Sequence, residues 1–311
     1  MRRQARVLGL IGVCFIGASV ASASTTSQRA SLPFEEFAPT WSPDGKQIAY
    51  VRGQRANIYD GFHSARIAVA TSNGSHRRLV TGTDAWSFDP AWSPNGRKLA
   101  YVRVPKISYA QGRLYAISPS RPKPTSLARG EGQYTRLSWS PDGHKLAFAI
   151  GGNGIWVASM SGGKLEGIWR QVVPSGRDPS WSPDGTRIAF AEGPNISTIE
   201  PDGSNRQVVV QRPLVCFDPG GCSFSRDPAW SPDSKRIAFV TIYAPESTIA
   251  IVDAGGGEPR VIHTGKGRLQ DLAWSPNGSR IAFARQGSGI YLMSPDGTHV
   301  RRLRNSTALA L

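Results

Sequence analysis

Cysteine is scarce in this sequence: its 311 residues include only three, Cys14, Cys216 and Cys222. A small disulfide-stapled fold is therefore excluded, and packing must hold the chain together. Histidine is nearly as rare, and none of its five copies has the spacing of a metal-binding motif. These are His63, His76, His144, His263 and His299. We therefore expect no metal and no other cofactor.

Long hydrophobic runs are also lacking. The longest, Val7 to Val20, follows Arg2, Arg3 and Arg6 and precedes small residues ending at Ala23. A run of 14 residues is shorter than the roughly 20 residues that a membrane-spanning helix needs. This pattern is typical of a secretory signal peptide, which we assign to residues 1–23. We expect a periplasmic or extracellular bacterial protein with no membrane span after cleavage.

Positive charge is in excess, with a formal net charge of +15 that falls to +12 when the three signal arginines are removed. Because export separates the chain from nucleic acid, we expect no nucleic-acid partner. A protein segment or an anionic polymer of the cell envelope is the expected partner, and we expect a monomer. A basic surface that is merely well solvated is the alternative interpretation.

A repeated motif, Trp-Ser-Pro-Asp-Gly or a close variant, occurs six times at intervals of 42 to 51 residues. Its tryptophans are Trp41, Trp92, Trp139, Trp181, Trp230 and Trp274. The interval is that of a four-stranded propeller blade. Within each unit, short alternating apolar segments separated by Pro, Asp and Gly predict four strands, which we name A to D from the centre outward.

The fold class predicted is therefore all-β, a six-bladed β-propeller of four-stranded antiparallel blades. We place the propeller at residues 34–304, after a short linker at 24–33 and before a C-terminal tail at 305–311. The tryptophans are expected to pack between blades. Pro-Asp-Gly or Pro-Asn-Gly closes the A–B hairpin because Gly tolerates a left-handed backbone. Ser234 replaces that glycine in blade five, which predicts a strained turn or one of another type.

The repeat WSPDGxxIAF, followed by an Asp-Gly turn and an R-x-L segment, resembles that of TolB-type propellers over residues 34–304. This resemblance implies a WD-like propeller of the kind found in the periplasmic component of the Tol system. The same repeat also occurs in propellers that precede peptidase domains. It therefore identifies the scaffold more sharply than the function.

Loop length distinguishes the two rims of the predicted propeller. The A–B and C–D turns share one rim, whose recurring Lys and Arg residues are either solvated charges or a weaker anion-binding crown. The B–C loops lie on the other rim and are longest in blades one and two. Their candidate binding residues are Arg55, Tyr59, Phe62, His63, Lys106 and Tyr109. Aromatic and basic residues on neighbouring loops suit a protein or glycan contact, although tolerated insertions would look the same.

Cys216 and Cys222 flank a Pro-Gly-Gly segment in the connection from blade four to blade five. In an exported chain, this spacing predicts a disulfide that closes a small loop on the B–C rim.

Acidic residues recur three positions before the tryptophan of four blades, where blade three has an arginine and blade one has Ala38. We expect these residues at the mouth of the central channel: Asp89, Arg136, Asp178, Asp227 and Asp271. They could hold a cation or a basic peptide segment. The interpretation favoured over this is that each aspartate accepts backbone hydrogen bonds and ties neighbouring blades together.

The sequence contains no Gly-x-Ser-x-Gly elbow, no His-Glu-x-x-His motif and no phosphate-binding glycine loop. We therefore predict a non-catalytic module that binds a protein segment or an envelope polymer, with no catalytic residues. The alternative is a carbohydrate-active hydrolase or lyase that uses the channel carboxylates. That alternative requires two acids converging on a glycan-sized cleft.

Overall fold

The computed structural model describes residues 34–303 except 56–61, 107–110, 129, 152–153, 213–215, 218–220 and 244. At residues 55, 216, 217, 221 and 222 it describes the backbone alone. The predicted signal peptide, linker and C-terminal tail lie outside these residues.

The described residues form six four-stranded antiparallel sheets and contain no helix. Blades one to three comprise β1 (Phe34–Trp41), β2 (Gln47–Arg55), β3 (Phe62–Thr71), β4 (Arg78–Leu79), β5 (Ala85–Trp92), β6 (Leu99–Pro105), β7 (Arg113–Ser118), β8 (Arg121–Ser126), β9 (Tyr134–Trp139), β10 (Lys145–Ile150), β11 (Ile155–Ser161) and β12 (Lys164–Val173). Blade four and the hairpin that follows it comprise β13 (Arg177–Trp181), β14 (Ile188–Glu192), β15 (Asn195–Ile199), β16 (Gln207–Val210), β17 (Cys216–Phe217) and β18 (Gly221–Cys222). Blades five and six comprise β19 (Phe224–Trp230), β20 (Arg236–Tyr243), β21 (Glu246–Asp253), β22 (Arg260–Lys266), β23 (Leu269–Trp274), β24 (Ile281–Arg285), β25 (Gly289–Met293) and β26 (Arg301–Arg302).

In each blade the strands pair in chain order, so that consecutive strands are neighbours. The first strands of successive blades contact one another around a complete ring, including β23 of blade six with β1 of blade one. This arrangement confirms the six-bladed propeller. At the closing junction, Trp41 Nε1 donates to the Ala273 carbonyl oxygen at 3.2 Å. Packing and side-chain hydrogen bonds therefore close the ring.

The core lies between the blades, where the apolar face of one sheet meets that of the next. Five of the repeat tryptophans are 6 to 8% exposed. The aromatic residue at the middle of each B strand is completely buried, for example Phe190 and Phe239. One cluster joins Ala189 and Ile196 of blade four to Trp230 of blade five. The repeat tryptophans thus serve the inter-blade core.

The same A–B turn recurs because each copy of the motif forms the same local hydrogen bonds. In blade one, Ser42 Oγ donates to Asp44 Oδ1 at 2.6 Å and accepts from Gln47 N at 2.9 Å, while Gly45 has a φ of 68°. Ser234 occupies the equivalent position in blade five with a φ of 57°, and its N–H donates to Ser231 O at 2.9 Å. The turn is therefore of the same type as in the other blades, and the prediction of another turn type is wrong. Ser234 adopts the left-handed backbone conformation that glycine adopts elsewhere.

Candidate functional site

A β-bulge interrupts the first strand of every blade a few residues before its tryptophan. One residue of each bulge has a left-handed backbone, with φ between 49° and 61°. The six residues are Ala38, Asp89, Arg136, Asp178, Asp227 and Asp271. Aspartate visits this conformation more readily than most residues, because its short polar side chain can bond locally. All six line one central cavity. We call them the bulge ring.

The structure places the bulge ring within the channel, three residues before the end of each first strand. The remaining lining residues follow the ring in sequence, toward the A–B turns, and include Trp181, Trp230 and Trp274. The cavity therefore extends from the ring toward the A–B rim. Its volume is about 230 Å³, which is below the roughly 300 to 1,000 Å³ of ordinary small-molecule pockets.

Each described backbone hydrogen bond that a ring carboxylate accepts comes from the next blade. Asp178 Oδ2 accepts from Asp227 N at 3.3 Å, and Asp227 Oδ2 accepts from Asp271 N at 3.0 Å. Asp271 Oδ2 in turn accepts from Ala38 N at 2.9 Å, across the closing junction. Asp89 likewise accepts from the backbone of Arg136 in blade three. These bonds satisfy buried backbone donors and connect adjacent blades.

Arg136 is the cation at the centre of this ring. Its guanidinium pairs with Asp227 at 2.8 Å and with Asp178 at 3.4 Å, and it also pairs with Asp271. The three carboxylates are only 2 to 9% exposed. One cationic side chain from blade three therefore pairs with carboxylates from blades four, five and six.

The ring shifts the pKa of its members in different directions. Burial raises the pKa of Asp89, against the opposing effect of Arg136. Burial and the charge of Asp227 together raise the pKa of Asp178. Burial would also raise the pKa of Asp227, but the guanidinium groups of Arg136 and Arg226 hold it below its ordinary value. Paired acids of unlike pKa can serve acid–base chemistry, yet each of these already holds a cation or a backbone donor.

Arginines continue this charge pattern on the side of the channel formed by blades four to six. Arg226 Nε lies 2.8 Å from Asp227 Oδ2, and Arg177 Nε lies 3.9 Å from Asp178 Oδ2. Arg177 also lies over the ring of Phe224. Burial, together with the nearby charge of Arg226, lowers the pKa of Arg268. This side of the channel is therefore rich in guanidinium groups.

The described ends of the candidate binding loops lie near an aromatic cluster. Phe62 stacks on Phe37 at 5.4 Å between ring centroids, and its ring lies 5.5 Å from that of Phe88. His63 and Lys106 are exposed on the same rim. The side chain of Arg55 lies outside the described residues, as do Tyr59 and Tyr109, so the structure brings together only part of the predicted set.

Sequence reasoning missed four residues at these positions: Phe37, Phe88, Arg177 and Arg226. Each directly precedes a bulge-ring residue. Comparison of that column across the repeats shows two aromatics in blades one and two and two arginines in blades four and five. This difference in residue type at one repeat position was the signal that the sequence offered for these four residues.

Cys216 and Cys222 face each other as backbone partners in the β17–β18 hairpin. Opposed residues in an antiparallel pair have Cα atoms about 4.5 to 5.5 Å apart, a separation that a disulfide can span. Their side chains lie outside the described part of the chain, and the disulfide stays a prediction.

Metal-binding clusters and membrane-spanning helices are both absent from the described residues. Within them, no group of three or more His, Cys, Asp or Glu side chains is arranged to hold a metal ion. No helix long and apolar enough to cross a membrane occurs in this part of the chain.

Comparison with known proteins identifies the scaffold. The family model described as the TolB beta propeller domain matches residues 27–212, more than half of the chain. TolB from Acinetobacter baumannii is similar in structure, with a TM-score of 0.64, 22% identity, and coverage of 81% of this chain and 62% of that one. An oligogalacturonate lyase from Vibrio parahaemolyticus superimposes with a TM-score of 0.55 at 13% identity, covering 91% of this chain and 81% of the lyase.

Sequence relatives include proteins named as peptidases. The uncharacterized peptidase YuxL of Bacillus subtilis is 30% identical over 112 residues, which are 36% of this chain and 17% of YuxL. The chain therefore matches less than a fifth of the length of this relative. The repeat, the six blades and the family match agree, and the chain belongs to the TolB β-propeller domain family.

Proposed function

We propose that this protein is an exported, non-catalytic binding module that recognises a protein segment or an anionic envelope polymer at its B–C rim. The observation that carries this proposal is the state of the bulge ring. Its carboxylates, which are the acids best placed for chemistry, are committed to Arg136 and to backbone N–H groups of adjacent blades.

The size of the central cavity also favours binding over glycan chemistry. A cavity of about 230 Å³ is small for an oligosaccharide. The charged side chains that line it, those of the bulge ring, pair with one another. A hydrolase or lyase would need an acid and a base free to reach the substrate. Binding at a loop-bearing rim requires neither.

The chemistry of the B–C rim fits a partner that is both apolar and anionic. Blades one and two supply the cluster of Phe37, Phe62 and Phe88, and Phe34 nearby is 47% exposed with Arg52 stacked on its ring at 3.9 Å. Blades four and five supply Arg177 and Arg226. Aromatic and arginine side chains are enriched at the energetic centres of protein interfaces.

A charge-reversal pair tests this proposal. The variant His63→Glu/Lys106→Glu changes two exposed residues of the B–C rim, and Lys46→Glu/Lys235→Glu changes two exposed residues of the A–B rim as a matched control. Each is used for affinity capture from envelope extracts, followed by titration of the recovered protein or polymer. We expect about tenfold weaker binding for the first pair, which corresponds to 1.4 kcal/mol, and little change for the control.

Equal losses in both variants would point to general charge attraction and would overturn the choice of rim. Turnover of oligogalacturonate or of a peptide, abolished by Asp178→Asn, would overturn the non-catalytic assignment in favour of the hydrolase or lyase. Export is tested separately by fractionation of cells that express the full chain, where retention in the cytoplasm would contradict it.

A further inference from the structure

Blade three departs from the other blades at its repeat tryptophan. Trp41, Trp92, Trp181, Trp230 and Trp274 are buried, whereas Trp139 is half-buried. Its indole is anchored as those of Trp41 and Trp230 are, since Nε1 donates to the carbonyl oxygen of Ala91 in blade two at 3.2 Å. The difference therefore lies in what covers the ring.

The contact that the C–D turn makes with the preceding blade differs from one blade to another. In blades four, five and six this turn contains a glycine that packs closely on the outer strand of the preceding blade. A Cβ on Gly203 would lie 3.6 Å from Val172 O, one on Gly256 3.4 Å from Val209 O, and one on Gly297 1.8 Å from Ile262 O. No residue larger than glycine could pack as closely as Gly297 does.

Blades two and three both have two-residue turns, Pro119-Ser120 and Gly162-Gly163. In blade two the turn still meets the preceding blade, because Pro119 O accepts from the guanidinium of Arg78 in β4, and Trp92 is buried. Among the described atoms, nothing lies within 4 Å of a Cβ built on Gly162, and the nearest neighbour at Gly163 is Lys98 Nζ at 3.5 Å. The two glycines thus pack less closely on blade two than the turn glycines of blades four to six do on their neighbours, and the backbone contact begins at Leu165, whose N–H donates to Leu127 O at 2.8 Å. A cleft opens at this junction on the A–B rim, away from the B–C loops.

The cleft has a volume of about 640 Å³, which is within the range of ordinary small-molecule sites. Apolar groups line it: Trp139, Leu127 and Met160, with Pro94 and Pro141 from the two A–B turns. An indole between proline rings offers a flat apolar contact for a ring or a short hydrocarbon.

Cations surround these apolar groups. Arg97 and Lys98 are exposed in the turn of blade two, and His144 lines the cleft from blade three. The carboxylate in the lining, Asp142, is occupied locally, since it accepts from Ser140 Oγ at 2.5 Å and from His144 N at 2.8 Å. The cleft therefore presents free positive charge next to an apolar floor.

We propose that this cleft binds a small amphipathic organic anion, with a carboxylate, sulfonate or phosphate on a ring or short apolar body. The apolar body lies against Trp139 and Met160, and the acid group pairs with Arg97 and Lys98. The site is separate from the B–C rim and does not rest on the function proposed for it.

The probe is 8-anilinonaphthalene-1-sulfonate, titrated against the full chain by calorimetry and fluorescence. N-phenyl-1-naphthylamine, which has the same rings without the sulfonate, is the matched neutral probe. We expect one anion site per chain and about tenfold weaker anion binding in Arg97→Gln/Lys98→Gln. The neutral probe should be insensitive to this double substitution.

Two further variants make the test specific. Ser161→Trp introduces a large ring from an exposed position in the cleft lining and should abolish anion binding. Lys46→Gln/Lys235→Gln removes the same amount of charge from other turns of the rim and should bind within twofold of the parent. The proposal is overturned if the parent chain does not bind the anion. It also fails if both charge variants lose affinity equally, or if Ser161→Trp binds normally while Arg97→Gln/Lys98→Gln is unaffected.

Discussion

At the scale of single residues, Arg136 has the largest set of charged partners described in this structure. Its guanidinium pairs with Asp178, Asp227 and Asp271, and these carboxylates would be left as buried charges without it. Breaking a buried pair is costly because the remaining charge lacks both water and a partner. The same residue type on the surface is worth far less.

Replacement of Arg136 by leucine should therefore lower the free energy of unfolding by about 3 kcal/mol. The matched control is Arg113→Ala, which breaks the exposed pair with Glu131 and should lower the free energy of unfolding far less, because solvent screens that pair. Urea denaturation at pH 7 measures both. Equal losses would contradict a central role for Arg136.

The raised pKa of Asp89 predicts a pH-dependent effect of Asp89→Asn. Its folded pKa lies above the ordinary value of 3.8 because burial penalises the charge. The folded state thus binds the proton more tightly, and wild-type stability gains from Asp89 as pH falls through the folded pKa toward 3.8. Asparagine keeps an acceptor for the backbone of Arg136 but cannot titrate.

The unfolding free energy of Asp89→Asn minus that of wild type should therefore be larger at pH 7 than at about pH 4. Denaturation at a series of pH values measures this difference, with Asp202→Asn as an exposed control. A difference that stays constant with pH would refute the interpretation.

At the scale of elements, the A–B hairpin is the unit that specifies the blade. Its serine, aspartate and glycine form local bonds that recur from blade to blade, so that the sequence pattern alone predicted the turn. Blade five keeps the turn with Ser234 at a φ of 57°. The left-handed conformation costs a non-glycine residue roughly 1 kcal/mol.

Ser234→Gly should be more stable than Ser234→Ala by about 1 kcal/mol, because glycine has no Cβ to strain. Both variants lose the hydrogen bond that Ser234 Oγ accepts from Asp184 N at 3.1 Å, and their comparison isolates the backbone effect. Thermal and urea unfolding measure it. Equal stabilities would mean that the turn carries no strain.

At the scale of the whole molecule, ring closure is apolar packing as much as hydrogen bonding. Leu303 is 3% exposed and joins a cluster with Trp41 and Tyr50 of blade one and Leu292 of blade six. A cavity at this position weakens the junction of blades six and one, which are distant in the chain. Large-to-small core substitutions cost about 2 to 5 kcal/mol.

Leu303→Ala should thus lower the unfolding free energy by about 2 to 4 kcal/mol, whereas Val300→Ala, at a site that is 41% exposed, should change it by under about 0.5 kcal/mol. Circular dichroism and tryptophan fluorescence should report one coincident transition for both variants. A neutral Leu303→Ala would argue against closure through this cluster.

The blade count and strand order were predictable because their signals are local: a turn, a tryptophan and alternating apolar residues. The contacts that form only when the ring closes could not be predicted from the sequence. Asp178 and Asp271 could be placed near the channel from their column in the repeat, but their pairing with Arg136 requires blades three and six to face each other across it. The cleft beside Trp139 likewise depends on how closely the turn of blade three packs on blade two, which is a contact between blades and not a local signal.

The bulge ring also has a thermal consequence. Ala38 has no carboxylate that could accept a hydrogen bond from blade two. Among the described residues, the junction of blades one and two instead has an apolar cluster at this level, formed by Phe37, Phe62, Trp86 and Phe88. Hydrophobic contacts weaken on cooling, whereas charged and hydrogen-bonded contacts do not follow the same trend. At the level of the bulge ring, cooling should therefore weaken the junction of blades one and two more than the junctions held by carboxylates.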